Sequence, residues 1–375
     1  MRLLPKLLLT LLLSVPALLF SQLSDRATVT LLTCGSGDEL YSVFGHTAIR
    51  VADPASGVDT VYNFGTFDFS TPNFYLKFVK GDLQYFVSVG PYDDFVEEYR
   101  YFGRDVFAQQ LNISTGQKQA IYDELNSILL SDRRFYTYKF IDRNCTTMVA
   151  DIINKYAGPV SMQNSDAGKT NRTIIYSYLD NHFFENLGIN LIFGHKTDKP
   201  QDKLFLPRQL MEGVSNTKNK NGSLSGPAIA VNKGGTANTS APWWNSYVFF
   251  CAIMLILAAV CYKYRVAALS YMTIVGLLGI FFCFVGFYSF HSEITQNYNA
   301  LMINPLFLLL AIFILANKPK TVFYARIIIA GMHIIYLLFM LNKPHLFTIL
   351  PIFILNLILL YRYSLSVRTQ RPPAK

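Results

Sequence analysis

Cysteine and histidine are the residues in this sequence whose types and positions allow nucleophilic chemistry. Cys145 follows Asn144 in the stretch "FYTYKFIDRNCTTMVADIINKYAG", at the junction between a strand-like run and a helical pattern. A thiol in the first turn of a helix lies among free backbone N–H groups, which favour the thiolate and lower the cysteine pKa. The same N–H groups can stabilise an oxyanion. The stretch therefore predicts a nucleophilic thiol at Cys145.

A thiol nucleophile needs a base, and His46 is the histidine best placed to serve. It follows Gly45 and opens the strand-like run "HTAIRV", so its ring can point into a cleft with little obstruction. Asn63 lies in the next strand-like run, "VYNFG", where its amide can orient the imidazole. The alternatives are a hydrogen-bonded turn histidine and ordinary turn chemistry before glycine. His182 and His195 lie in polar stretches without a pattern, which favours structural roles.

Further polar residues flank the predicted cleft. Glu39 and Tyr41 shortly precede His46, and Glu39 can stabilise an imidazolium or orient an amine, or can be a solvated loop charge. Arg50 is an even number of residues from His46 on the same strand, so both share one face, where a guanidinium can contact a phosphate. We assign Glu39 to catalysis with Cys145, His46 and Asn63. We assign Tyr41, Arg50 and Asn144 to substrate contact.

The cysteine count leaves a structural alternative open. The chain has five cysteines, and only Cys34 and Cys145 lie outside the apolar last third. An exported domain allows disulfides, so a Cys34–Cys145 bridge in a non-enzymatic envelope scaffold is the competing interpretation. No CxxC motif and no histidine pair at metal-ligand spacing occurs in the sequence. We therefore predict neither a metal site nor a cofactor.

Apolar residues are concentrated at the two ends of the chain. Residues 1–21 place Arg2 and Lys6 before an apolar run, the layout of a secretory signal peptide, with an uncleaved anchor as the alternative. Five apolar stretches occupy the last third, and the third of them is interrupted by Asn304-Pro305. They lie at about 246–262, 267–290, 301–316, 321–341 and 345–361.

The basic residues predict how these stretches are oriented. If the N-terminal domain lies outside, lysine and arginine concentrate at the ends that face the cytoplasm, as membrane proteins require. The sequence thus predicts a multi-pass membrane protein whose N-terminal domain lies outside the cytoplasm. The net charge of +9 then reflects cytoplasmic anchoring, and nucleic acid is excluded as a partner.

The composition between these ends predicts the domain organisation. Residues 22–214 read as one α+β domain with an antiparallel sheet, because "RATVTLLTC", "HTAIRVAD", "DTVYNFGTF", "LQYFVSVG" and "VFAQQLNIS" are strand-like. Helices are predicted after a capping box at Ser114 and Gln117 and over 145–157. Residues 215–245 are rich in Gly, Ser, Asn and Thr and read as a flexible linker. An all-α transmembrane bundle of five helices follows over 246–363, with a cytoplasmic tail over 364–375.

Several of these stretches resemble a known family. "GDELYSVFGHTAIRV", "VYNFGTFDF", "YKFIDRNCTTMVADII" and "KLFLPRQLM" are similar to the Lnb family of bacterial lipoprotein N-acyltransferases. The order of a histidine strand, a polar residue on the next strand and Asn-Cys at a helix start resembles permuted papain-like enzymes, relatives of lecithin:retinol acyltransferase. The resemblance covers nearly the whole chain, including "SFHSEITQNYNALMINPL" between the second and third apolar stretches.

The resemblance implies a fold and a reaction. The fold is a permuted papain-like domain followed by a membrane bundle, and the implied location is the bacterial inner (cytoplasmic) membrane with the N-terminal domain in the periplasm. In the reaction, Cys145 is activated by His46 and takes an acyl chain from a membrane glycerophospholipid as a thioester. The acceptor is the α-amine of the diacylglyceryl-cysteine at the N-terminus of a diacylated lipoprotein, and the product is N-acylated.

Both substrates are lipids, so the predicted cleft must be held at the bilayer surface. Polar residues at the outer ends of the apolar stretches are candidates for headgroup contact, with loop solvation as the alternative: His291, Glu293, Asn297, Asn299 and Asn304. The competing enzyme is a membrane-anchored cysteine peptidase or amidase that acts on cell-wall peptides with the same Cys–His pair. It predicts activity without lipid, whereas a transferase requires lipid and the membrane part.

Overall fold

The computed structural model describes residues 22–219, 222–234 and 242–368, with side chains described as far as residue 363 in the last helix. The predicted signal peptide, residues 1–21, and residues 369–375 of the predicted tail lie outside the described residues. The described chain forms an N-terminal α+β domain followed by apolar helices, as the sequence predicts.

The N-terminal domain is built on a seven-stranded antiparallel sheet within the described residues. The strands are β1 Thr28–Cys34, β2 His46–Asp53, β3 Val58–Thr66, β4 Gln84–Pro91, β5 Val106–Gln110, β6 Phe135–Thr137 and β9 Ile229–Asn232, while β7 Lys218–Asn219 and β8 Gly222–Ser223 form a separate pair. The order across the sheet is β6-β4-β3-β2-β1-β5-β9. All five strand-like runs in the sequence are strands of this sheet.

Helices cover both faces of the sheet. They are α1 Phe74–Lys80, α2 Tyr92–Tyr101, α3 Thr115–Leu129, α4 Cys145–Ala157, α5 Asn171–Ser177, α6 Phe183–Ile192 and α7 Pro207–Asn216. Ile49 of β2 belongs to the core that packs against α3 and α4. Its neighbour Ala48 belongs to the core that packs against α2. Because strand side chains alternate, the central strands serve two cores.

The predicted linker is partly structured. Within residues 215–245, β9 pairs with β5, and Phe107 lies opposite Ala230. The composition indicated a tether because its side chains are small and polar. A strand added to a sheet edge is held by backbone hydrogen bonds, which composition does not reveal.

The C-terminal helices are α8 Tyr247–Lys263, α9 Arg265–Tyr288, α10 Leu306–Leu315, α11 Pro319–Met340 and α12 Leu346–Arg368. In the described chain, four segments are long and apolar enough to cross a membrane: Arg265–Tyr288, Ser292–Leu315, Pro319–Met340 and Leu346–Tyr363. The first of the five predicted spans is a shorter apolar helix, α8, of 17 residues. The helix break predicted at Asn304-Pro305 is present, because α10 begins only at Leu306.

The helix ends predicted to face outward contact the N-terminal domain. Ahead of α8, Asn245 Oδ1 accepts from the backbone N–H of Phe184 at 2.9 Å. After α11, the ammonium of Lys343 lies 3.4 Å from Asp198 Oδ2. After α9, the backbone N–H of Phe290 donates to the carbonyl oxygen of Lys80 in α1 at 2.7 Å. The N-terminal domain therefore rests on one end of the bundle, and the lysine- and arginine-rich ends lie at the other.

Candidate active site

Cys145 is the first residue of α4, and Asn144 caps this helix. Asn144 Oδ1 accepts from the N–H groups of Thr146 and Thr147 at 2.9 and 3.0 Å. Its amide nitrogen donates to the carbonyl oxygen of Phe205 at 2.9 Å. The side chain assigned from the sequence to substrate contact is thus engaged in fixing the loop that carries the thiol.

The pKa of the Cys145 thiol is raised, and the expectation of a lowered pKa is wrong. Burial is the largest cause, and hydrogen bonds from backbone N–H groups, that of Thr47 first, oppose it only in part. The helix N-terminus lowers the pKa of the thiol, but the loss of solvent around the thiol raises it by more. The cap also occupies the N–H groups of Thr146 and Thr147, so the predicted oxyanion site loses two donors.

His46 is the first residue of β2 and directly precedes Thr47, whose N–H donates to the thiol. Two glycines make room for it. Gly45 has φ +81°, and a Cβ there would lie 2.5 Å from the carbonyl oxygen of Cys34. A Cβ on Gly65 would lie 2.5 Å from Cε1 of His46. Only glycine at these positions leaves space for the chain turn and for the imidazole.

The imidazole of His46 has one free nitrogen. Asn63 hydrogen-bonds to the ring, as the sequence suggested, while Nε2 is buried and has no hydrogen-bond partner among the described residues. The bond to Asn63 therefore falls on Nδ1 and leaves Nε2 as the proton acceptor. Burial, together with the positive charge of Arg104, lowers the pKa of His46 to about 4 against the opposing bond to Asn63. The ring is neutral at pH 7.

The strand register limits where the thiol and the imidazole can meet. Thr47 faces α4, and its hydroxyl lies 3.0 Å from that of Thr146. By alternation, His46 shares the opposite face with Ala48, which pairs with Asn63. The thiol lies on one face of the sheet and the imidazole on the other, so they can approach each other only around the N-terminal end of β2. Nε2 of His46 has no hydrogen-bond partner among the described residues, so the thiol lies beyond hydrogen-bond distance of it in this structure. The two side chains have to approach each other before a proton can pass between them.

The other residues predicted near His46 are separated from the thiol or exposed. The side chains of Glu39 and Tyr41 are exposed in the turn before β2. Arg50 is held by Asp59, with Nε 2.6 Å from Oδ1, and its guanidinium lies 3.5 Å from the centre of the Tyr92 ring. Arg50 thus occupies the predicted face, but its charge is paired.

His291 and Asn297, assigned to headgroup contact, both bond to backbone of the N-terminal domain. Nε2 of His291 lies 2.8 Å from the carbonyl oxygen of Phe78. The amide nitrogen of Asn297 donates to the carbonyl oxygen of Leu191 at 2.8 Å. Both side chains therefore join the membrane bundle to the domain above it.

The structure places one residue of the membrane domain, Glu293, against the loop that carries the thiol. Its Oε1 accepts from the backbone N–H of Ile141 at 2.9 Å, four residues before Cys145. Glu293 is only 1% exposed, and its Oε2 is buried without a hydrogen-bond partner among the described residues. Next to it, Ser292 donates to Asp142 at 3.0 Å. The sequence marked Glu293 only as a polar residue near the bilayer, because contacts between distant segments leave no local pattern.

Aromatic rings surround the thiol. Burial raises the pKa of Tyr85, Tyr136 and Tyr138, and the nearby Cys145 raises each further. The rings of Tyr85 and Tyr138 stack with centres 4.4 Å apart. This aromatic lining restricts water near the thiol.

The pKa of His46 predicts the pH dependence of any reaction in which this ring takes the proton of the thiol. The rate should stay level on acidification through pH 6.5 and fall only as His46 takes up a proton near pH 4. The unfolded chain binds the proton more tightly between these values, so the free energy of unfolding should fall as the pH is lowered through this window. A pH profile of kcat/KM tests the prediction, and a half-maximal rate near pH 6.5 would contradict it.

Glu293→Ala should lower the rate of the reaction at Cys145 about 100-fold, because the loop before Cys145 loses its anchor and the thiol is displaced. Glu293→Gln keeps an oxygen acceptor for the N–H of Ile141 and should retain most of the activity. Asn297→Ala is the matched control, since it removes a bond between the domains away from the thiol loop. Equal losses in the Glu293→Ala and Asn297→Ala proteins would show a general effect on domain assembly instead.

Two family models match the chain. The model of the Lnb N-terminal periplasmic domain matches residues 21–179, which include His46, Asn63 and Cys145. The model of the Lnb transmembrane domain matches residues 236–371, which include all five C-terminal helices. Together they span most of the chain. No curated protein and no solved structure matches it.

Proposed function

We propose that this chain, which belongs to the Lnb family and is a multi-pass membrane protein with a periplasmic domain, is a thiol-dependent lipoprotein N-acyltransferase. The observation that carries the proposal is the attachment of the nucleophile loop to the membrane domain through Glu293 and Ile141. A thiol that acts on soluble peptides needs no such attachment. A thiol that takes acyl chains from lipids must be held at the bilayer.

The first half-reaction forms a thioester. The sulfur of Cys145 attacks the carbonyl carbon of a phospholipid ester while its proton passes to Nε2 of His46. The ester C–O bond then breaks, and the glycerol oxygen takes the proton from His46 and leaves as lysophospholipid. Because Nε2 has no partner among the described residues, none of their hydrogen bonds must break before it accepts the proton.

The second half-reaction passes the acyl group to an amine. The α-amine of a diacylglyceryl-cysteine attacks the thioester carbon and gives a proton to His46. The C–S bond breaks, the thiolate recovers the proton from His46, and an amide is released. A raised thiol pKa suits this cycle, because Cys145 returns to the neutral form and relies on His46 at each turnover. Neither half-reaction calls for a metal or a cofactor.

The test uses the full-length protein in vesicles of phosphatidylethanolamine and phosphatidylglycerol with a synthetic diacylglyceryl-cysteine peptide. Mass spectrometry should show the peptide gaining one fatty-acyl amide, with an equal amount of lysophospholipid released. Cell-wall peptides in a parallel sample should stay intact. Peptide cleavage without acyl transfer, independent of the lipid supplied, would favour the peptidase or amidase instead.

A further inference from the structure

Helix α1 of the periplasmic domain exposes an apolar surface. Its seven residues, "FYLKFVK", include five apolar side chains and two lysines, and none of the seven is buried. Tyr75 and Leu76 are 76% and 71% exposed, and Phe69, just before the helix, is 60% exposed. Exposed apolar patches of this kind mark surfaces that are covered by a partner or a membrane.

Helix α1 is attached to the outer end of membrane helix α9. The backbone N–H of Phe290 donates to the carbonyl oxygen of Lys80 at 2.7 Å, and the hydroxyl of Ser289 donates to that of Val79 at 3.1 Å. The lipid-facing side chain of Phe287, at the end of α9, is 90% exposed. The apolar surface of α1 is therefore continuous with the bilayer-facing surface of the bundle.

The two lysines of α1 are suited to the membrane interface, where lipid headgroups lie. Lys77 and Lys80 lie in its last turn. The ammonium of Lys80 is paired with Asp82, 2.8 Å from Oδ2, and lies 5.3 Å from the centre of the Phe290 ring, so Lys77 is the residue that adds net positive charge to this turn. Short helices that lie in the membrane interface have apolar side chains on one face and lysine or arginine on the other, at the level of the phosphates. The chemistry of α1 thus matches anionic headgroups above acyl chains.

A row of aromatic rings leads from α1 to the thiol. In order from the helix, with ring centres 4.4 to 5.0 Å from one to the next, they are Phe74, Phe69, Phe67, Tyr85 and Tyr138. The last two rings pack in one cluster with Met148, which lies one turn after Cys145 on α4 and packs with it against the same core. The row supplies an apolar surface from the bilayer edge to the nucleophile.

We propose that α1 inserts into the periplasmic leaflet of the membrane and that the row of aromatic rings guides the donor phospholipid's acyl chain to Cys145. The occupant of the α1 surface is the acyl-chain region of the bilayer. The insertion stands on the exposed surface and its attachment to α9, whereas the guiding role rests on the acyl transfer proposed above.

Insertion can be measured without any activity. In the full-length chain, Trp243→Phe and Trp244→Phe remove both native tryptophans. Tyr75→Trp then reports on α1, and Tyr101→Trp, at the end of α2 and 83% exposed, is the matched control. In vesicles of phosphatidylcholine brominated on its acyl chains, the indole at position 75 should be strongly quenched and that at position 101 should not. Quenching at position 75 no greater than at position 101 would overturn the proposal.

The guiding role is tested with two donors. Leu76→Asp should lower acylation of Cys145 from vesicle phospholipid about tenfold, because a carboxylate opposes insertion, and should leave acylation by a short water-soluble thioester unchanged. Ile229→Asp, on an exposed residue of β9, should affect neither donor. Equal loss with both donors would overturn the guiding role. If the unaltered protein forms no acyl-Cys145 with either donor, the acyl transfer fails, while the quenching result still decides insertion.

Discussion

Replacing Cys145 with alanine is expected to abolish acyl transfer, with a loss of about 10⁴-fold or more, because no other thiol in the periplasmic domain can form the acyl intermediate. Cys145→Ser should be nearly as inactive. A hydroxyl needs a stronger base than a thiol does, and burial has lowered the pKa of His46 to about 4. The measurement is N-acylation of the diacylglyceryl peptide in vesicles, with thermal unfolding to show that each variant is folded.

Cys34→Ala is the matched control for these variants. Cys34 is 1% exposed, and burial raises the pKa of its thiol to about 12, so it is neither accessible nor ionised. Both Cys34 and Cys145 are free thiols in the structure. Cys34→Ala should keep the activity and lose only some stability. Full activity of Cys145→Ala would remove the thiol from the mechanism. An equal loss of stability in the Cys34 and Cys145 variants would instead support the structural disulfide of a scaffold.

His46→Ala is expected to lower the transfer rate by about 10²- to 10⁴-fold, the usual contribution of a general base. At the start of β2, Nε2 of His46 is a buried ring nitrogen without a hydrogen-bond partner among the described residues. The loss should be the same in kcat and kcat/KM if His46 acts only in the transition state. The decline in rate near pH 4 should also disappear from the pH profile of this variant.

Two comparisons separate a base from a structural histidine. Free imidazole should restore part of the rate in the His46→Ala protein, because the ring leaves a space beside Gly65. His195→Ala is the matched control, since His195 is exposed at the start of a short 3₁₀ turn, and it should behave as the unaltered protein. A His46→Ala protein that is folded, fully active and unchanged in its pH profile would remove His46 from the mechanism.

The elements that carry the site could be predicted because their signals are local. Runs of β-branched and aromatic residues bounded by Gly, Asp and Pro predict the central strands. The capping box predicted at Ser114 is formed, with Gln117 accepting from the Ser114 backbone N–H at 2.9 Å. The helix that starts at Cys145 follows from its cap and its apolar spacing. Such patterns depend on residues a few positions apart, so one sequence is enough to show them.

The energetics of the site could not be predicted in the same way. The pKa of Cys145 depends on how much solvent the rest of the fold removes, and this outweighs the local effect of the helix N-terminus. The bond between Glu293 and Ile141 joins residues far apart in the sequence, and no spacing rule connects them. Strand alternation places His46 and Thr47 on opposite faces, and this could be predicted from the sequence. The face against which α4 packs could not be predicted.

If Cys145 carries the acyl group, a thioester on this residue can be detected. The full-length protein is exposed to phospholipid vesicles without acceptor, digested, and analysed by mass spectrometry beside the Cys145→Ser and His46→Ala proteins. We expect a hydroxylamine-labile fatty-acyl group on the peptide that contains Cys145, absent from both variants. We also expect this group to be lost when the diacylglyceryl peptide is added. A Cys145 peptide that carries no acyl group, or that is found linked to Cys34 by a disulfide, would contradict acyl transfer through Cys145.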